Sequence, residues 1–212
     1  MTQHVVSRLG QRGDGIVETA DGVRHVPKVL AGETVDLAGS RLLRVITPSP
    51  DRVEPFCPHY ATCGGCKFQH WQEEAYRAWK LEMVRQQFAS QNLAVDLPPL
   101  LDAHGQGRRR ISLHVREIDG VWCAGFMEQK SHDLAPLNQC PVLVPALRHS
   151  PALAAEFGKL LGPCDVALTA AANGIDVAVK AERKATDKRS AALSALFNAR
   201  NLLRLSVNGE VF

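Results

Sequence analysis

Long apolar runs are missing from these 212 residues: no segment approaches the roughly 18 apolar residues of a membrane-spanning helix. Met1 to Gly10 lacks the apolar core of a secretory signal peptide. The two absences lead to the expectation of a cytoplasmic protein with no membrane partner. Low-complexity segments and internal repeats are absent as well, which sets aside repeat architectures. Net charge is small, because 25 Lys and Arg stand against 22 Asp and Glu, leaving +3. So mild an excess does not announce a polyanion, and any such site must come from local clustering. Hydrophobic residues make up 45% of the chain, enough for one large or two small cores.

What is present is a crowd of thiols. Cys57, Cys63 and Cys66 fall within ten residues, in Cys57-Pro58-His59-Tyr60-Ala61-Thr62-Cys63-Gly64-Gly65-Cys66. Cysteines this close ligate a metal or cluster, or pair as disulfides. The spacing is C-x5-C-x2-C, and Cys140 in Asn138-Gln139-Cys140-Pro141 is the best candidate for a fourth ligand. Cys123 alternates within a strand-like run and Cys164 follows a helix stop, which suits them less. A zinc ribbon uses two facing C-x2-4-C knuckles. One loop carrying three ligands, closed by a remote fourth, fits an iron–sulfur cuboid better. Gly64 and Gly65 let the backbone approach inorganic sulfide closely. Structural zinc, and a set of disulfides or reduced core thiols, stay open as alternatives, with disulfides rare in a cytosolic chain.

CPHYATCGGC followed by a distant NQCP resembles the iron–sulfur motif of the RNA 5-methyluridine methyltransferases, which use S-adenosylmethionine to methylate carbon 5 of uridine. Within that family the motif is most similar to the 23S ribosomal RNA enzymes. The resemblance implies a [4Fe–4S] cluster on Cys57, Cys63, Cys66 and Cys140, and RNA as partner, ribosomal rather than transfer RNA.

Five short alternating runs fill the first 52 residues, at 4–9, 15–19, 23–26, 33–37 and 41–46, with a hairpin signal at Asp21-Gly22. They predict a small closed barrel of the oligonucleotide-binding type, and GDGIV…DG…VP…GETV resembles the TRAM domain. Residues 53–69 form the cluster-binding loop. A helix is predicted over 71–90 from Trp71, Ala75, Trp79, Met83 and Phe88, and Pro98-Pro99 stops it. The resemblance places this segment, 70–98, against a methyltransferase domain.

Residues 99–212 read as a central α+β domain. Arg108-Arg109-Arg110 leads into a strand with Ile111, Leu113 and Val115 on one side and Arg110, Ser112, His114 and Arg116 on the other. Asp119-Gly120 turns it back. Arg108, Arg109, Arg110, His114 and Arg116 are therefore candidate RNA contacts, set against the alternative of a solvated face. Ser150-Pro151 predicts a helix start, Asn173-Gly174 a hairpin, Thr186 a second helix start, and 202–207 a strand.

Asn208-Gly209 followed by Glu210-Val211-Phe212 reads as an unfinished hairpin. No strand–Gly-rich turn–helix of the S-adenosylmethionine-binding kind occurs. The expectation is an α+β multidomain chain, a TRAM-like barrel followed by an iron–sulfur domain, with the Rossmann-like methyltransferase domain absent. On that expectation the chain is a monomeric fragment, inactive alone, and S-adenosylmethionine is bound only by a longer parent. A stand-alone RNA-binding module with a zinc or cluster, and a redox sensor, are the competing readings.

Overall fold

The structure is a computed structural model that describes residues 3–101, 107–182 and 187–212. It divides into two compact units, Met1–Phe56 with Cys66–Leu101, and Cys57–Gly65 with Asp102–Phe212. Among the described residues no helix is long and apolar enough to cross a membrane.

In the first unit, β1 (Gln3–Leu9), β2 (Gly15–Thr19), β3 (Gly22–Val26), β4 (Thr34–Ala38) and β5 (Arg41–Thr47) form one antiparallel sheet in the order β3-β2-β1-β4-β5. Alternate valines turn inward, and Val6, Val17, Val26, Val29 and Val35 make its core. The predicted closed barrel is corrected. β1 pairs with β4 through residues 3–5 and with β2 through 6–9, across an irregularity between Val6 and Arg8. β3 and β5 are left as edges, so among the described residues the ladder is open. The first hairpin also turns one residue earlier than predicted, because Thr19 pairs with Gly22 and leaves Ala20-Asp21 as the loop.

Glu33, predicted to begin the fourth strand, instead sits just before β4 with no exposed surface. Its carboxylate accepts the Leu30 N–H at 2.8 Å, the Ser49 N–H at 3.1 Å, and Arg52 Nε and Nη2 at 2.5 and 2.7 Å. Burial pushes the Glu33 pKa up, but the Arg52 hydrogen bonds and the two N–H donors outweigh it and hold it below the ordinary range. His70 is buried in the same unit, 2% exposed, and its pKa is held down at about 4, first by burial and then by the Arg52 charge.

His70 is a base whose proton affinity is lower folded than unfolded, so the unfolded chain binds the extra proton between the ordinary value of 6.5 and about 4. Stability should therefore fall as pH drops through that window, by about 3 kcal/mol if the shift is fully expressed. Chemical unfolding at pH 7, 5.5 and 4 measures it, and His70→Leu should flatten the slope. An equal slope in both proteins would rule out His70 as the titrating group.

Helix α1 (Glu73–Ala89) starts where the Gln72 side chain accepts the Ala75 N–H at 2.9 Å. None of its residues is buried. Tyr76 and Trp79 instead gather with Phe68 and Trp71, with centroids 5.0 Å apart for Phe68–Tyr76 and 5.3 Å for Trp71–Trp79.

The second unit is built on a seven-stranded mixed sheet in the order β12-β11-β10-β9-β6-β7-β8. Its strands are β6 (Arg110–Ile118), β7 (Val121–Met127), β8 (Leu134–Pro136), β9 (Cys164–Ala171), β10 (Gly174–Ala181), β11 (Arg204–Val207) and β12 (Glu210–Val211). β10 and β11 run parallel, and the other pairs are antiparallel. Helices α2 (Ser150–Leu161) and α3 (Asp187–Ala199) belong to the same core, where Phe157, Leu161 and Leu193 are fully buried with Leu113, Val115, Val166 and Leu205.

Asp119 and Gly120, at φ 49° and 77°, make the predicted two-residue turn between β6 and β7. Ala172-Asn173, rather than Asn173-Gly174, connects β9 to β10, since Ala171 pairs with Gly174. Ser150 is the first helical residue of α2 rather than its cap, which is His149. Thr186 lies outside the described residues. Asn208-Gly209 makes the turn to β12, which pairs with β11.

Candidate functional site

The loop Cys57–Gly65 folds on itself through two turns. The Tyr60 N–H reaches the Cys57 carbonyl at 3.0 Å, and the Cys63 N–H reaches the His59 carbonyl at 2.9 Å. It is fastened to the end of β7, where Cys63 forms a bridge with Glu128 and the Gly64 N–H donates to the Met127 carbonyl at 3.1 Å. The approach is too close for side chains. A Cβ on Gly64 would stand 2.6 Å from the Met127 carbonyl oxygen, and one on Gly65 would stand 3.1 Å from the Phe126 ring. The Gly65 N–H donates to Cys63 Sγ at 3.3 Å.

Cys140 stands on the same unit. Its N–H donates to the Arg148 carbonyl at 2.9 Å, and its own carbonyl accepts the Leu143 N–H at 3.2 Å. His59 Nε2 lies 2.6 Å from Asn138 Oδ1, linking the loop to the segment that carries Cys140. Cys63 and Cys140 are buried, Cys57 and Cys66 are half-buried, and none of the six cysteines is in a disulfide. Cys66 follows Gly65 directly and opens the stretch Cys66–Leu101 that groups with the first unit.

Among the described residues no three His, Cys, Asp or Glu side chains form a ready set for one metal ion. A single zinc ion needs its thiolates within about 2.3 Å of one point. A cuboidal cluster gives each thiolate its own iron and spreads the four sulfurs apart. An all-thiol donor set, side-chain-free backbone at Gly64 and Gly65, and an N–H aimed at Cys63 Sγ fit such a group.

Strand β6 keeps the predicted alternation: Ile111, Leu113 and Val115 are buried, Arg110 and Ser112 exposed, His114 and Arg116 half-exposed. The face is less basic than its sequence. Asp165 on β9 pairs in register with His114 and lies 2.7 Å from its Nδ1 and 3.6 Å from Arg116. Arg116 also donates to the Val115 and Cys164 carbonyls, at 2.8 and 3.1 Å. Arg109 turns back through Nε and Nη2 to the Ala170 carbonyl, at 3.1 and 2.9 Å. Arg108 and Arg110 keep exposed side chains at the start of the strand. Sequence reasoning missed Asp165, whose only signal is a register set 51 residues away.

No protein-family model matches the chain. It is 34% identical, over 99% of its length and 52% of the relative, to an uncharacterized RNA methyltransferase of Brucella suis. It is 38% identical to one from Caulobacter vibrioides, over 92% of this chain and 49% of the relative. It is 35% identical, over 67% of this chain and 35% of the relative, to the 23S rRNA (uracil(1939)-C(5))-methyltransferase RlmD of Vibrio parahaemolyticus. The chain spans about half the length of the first two relatives.

Among solved structures it resembles the Pyrococcus abyssi tRNA (uracil-54, C5)-methyltransferase in complex with S-adenosyl-L-homocysteine, with a TM-score of 0.62 and 18% identity, over 99% of this chain and 54% of that one. That likeness is one of fold. It overturns the expectation of a fold from which the methyltransferase is absent, because nearly every residue here has its counterpart within a methyltransferase chain, and it leaves the expectation of an inactive chain unsupported. In sequence, the proteins to which this chain is homologous are RNA methyltransferases.

Proposed function

We propose that this chain binds RNA and a [4Fe–4S] cluster as part of a cytoplasmic, S-adenosylmethionine-dependent RNA methyltransferase that forms 5-methyluridine, with ribosomal RNA as its substrate. The observation that carries the reading is the convergence of two features on one sheet. The loop of Cys57 and Cys63 is fastened to the end of β7, and Arg110 opens the neighbouring strand β6, with Arg108 two residues before it. Cys57, Cys63, Cys66 and Cys140 would hold the cluster. When bound, the cluster supplies a rigid four-point tie between the loop and the Cys140 segment.

The remaining work belongs to the protein's own groups. Arg108 and Arg110 offer planar guanidinium forks to phosphate oxygens. Arg109 and Arg116 contribute positive charge and His114 a ring nitrogen, while their hydrogen bonds to Ala170, Asp165 and the strand carbonyls hold them in place. Phosphate contacts position an RNA without selecting its sequence. Selection of one uridine requires its base to be displaced from the stack so that carbon 5 is reachable.

A salt titration of RNA affinity tests the reading. Arg110→Ala should weaken binding to unrelated single-stranded RNAs alike and flatten the logarithmic salt dependence by about 0.7. Arg116→Ala should flatten it less, because Asp165 already offsets its charge. Wild-type affinity and slope in both Arg108→Ala and Arg110→Ala would refute an RNA face at β6.

A further inference from the structure

The geometry points to His59 and Asn138 as a side-chain latch that joins the cysteine loop to the Cys140 segment and so governs how firmly the metal group is retained. The inference rests on the cluster reading above. It concerns two residues that carry no ligand atom in that reading.

His59 holds two positions at once. Its carbonyl accepts the Cys63 N–H at 2.9 Å and so closes the turn that presents Cys63. Its ring Nε2 meets Asn138 Oδ1 at 2.6 Å across 79 residues of sequence. Asn138 has no donor to spare at Oδ1, so His59 Nε2 carries the proton and donates. The backbone around Asn138 is held independently. The Leu137 N–H donates to the Ala124 carbonyl at 2.9 Å, and the Cys140 N–H to the Arg148 carbonyl at 2.9 Å. The Asn138 side chain therefore reaches out from a fixed strap, and His59 reaches out from a fixed turn.

The bond lies two residues from Cys57 on one side and two from Cys140 on the other. A cluster held by thiolates of both segments would be released when either segment swings away. A hydrogen bond that must break before they separate slows that opening. Asn138 is exposed and His59 half-exposed, outside the packed core, so the pair should matter to opening of the site and little to folding of the sheet.

The test is release of iron from anaerobically reconstituted protein to an excess of a coloured ferrous chelator, followed with the absorbance near 400 nm. His59→Ala and Asn138→Ala should each release iron about five-fold faster than wild type, as expected for one net hydrogen bond. The double variant should be no faster than either single one, because both remove the same bond. His59→Gln, whose side-chain amide can donate in place of Nε2, should recover part of the loss. Thermal unfolding of the iron-free variants should match wild type. Wild-type release rates in both alanine variants, or fully additive effects in the double variant, would overturn the latch while leaving the cluster intact. A wild-type protein that takes up no iron would remove the cluster reading itself, and the latch with it.

Discussion

Arg52→Ala should destabilise the first unit by roughly 3–5 kcal/mol, the range for removing one partner of a buried pair. The cost arises on the other side of the bond. Glu33 has no exposed surface, and Arg52 supplies two of its four hydrogen bonds. Without the guanidinium, the carboxylate keeps the Leu30 and Ser49 N–H groups but loses its compensating charge. Its pKa should then rise, and the variant should lose stability as pH increases through the new value, because the folded state prefers the protonated form. Arg52→Lys should recover only part of the loss, since an ammonium cannot engage both carboxylate oxygens as a planar fork.

Arg52 Nη2 also donates to the Lys28 carbonyl at 3.0 Å, so the alanine variant loosens the Lys28–Glu33 turn as well. Urea unfolding followed by tryptophan emission suits the measurement, because two of the three tryptophans, Trp71 and Trp79, lie in this unit. An Arg52→Ala protein within about 1 kcal/mol of wild type would mean that Glu33 is protonated or hydrated in the folded state.

How much of this was legible beforehand depended on the range of the interaction. Period-two alternation placed Ile111, Leu113 and Val115 inside and Arg110 and Ser112 outside, because a pleated strand enforces it locally. Asp119-Gly120 and Asn208-Gly209 named their turns, since both residues of each accept positive φ. Ala172-Asn173 and Ala20-Asp21 slipped by one residue, because the pairing register of whole strands, not the turn dipeptide, sets those loops.

The five N-terminal strands were legible one at a time, yet whether their sheet closes is decided by partners in space, and β3 and β5 stayed apart. Glu33 read only as the first residue of a strand-like run, because nothing local reveals a carboxylate bound from 16 and 19 residues away. Asp165 remained hidden for the same reason, and with it the partial neutralisation of the basic strand. The cysteine spacing stood out at once, while the fastening of its loop to Met127 and Glu128, and the His59–Asn138 bond, needed the fold.

The largest effect on the metal site should come from single cysteine replacements. Cys57→Ser, Cys63→Ser, Cys66→Ser and Cys140→Ser should each lose nearly all iron and the absorbance near 400 nm after anaerobic reconstitution, whereas Cys123→Ser and Cys164→Ser should keep both. Ligation needs thiolate. Cys164 is buried on β9, and its pKa is pushed up to about 11, first by burial and then by the Asp165 charge, against a weaker opposite pull from Arg116. It pairs in register with Val115 on the core side of the sheet, so it stays a neutral thiol. Cys123 pairs with Arg116 in the middle of the β6–β7 ladder, five residues before the bridge between Cys63 and Glu128.

Cys164→Ser puts a hydroxyl into an apolar core and should lower stability, so its iron content is to be compared at a temperature where both proteins are folded. The decisive comparison is Cys140→Ser against Cys164→Ser. Full iron in the former and none in the latter would move the fourth ligand into β9 and break the link between the cysteine loop and the Asn138–Cys140 strap. Full iron in all six variants would mean that the metal is bound adventitiously and that the cysteine loop is held by its backbone bonds to Met127 and Glu128 alone.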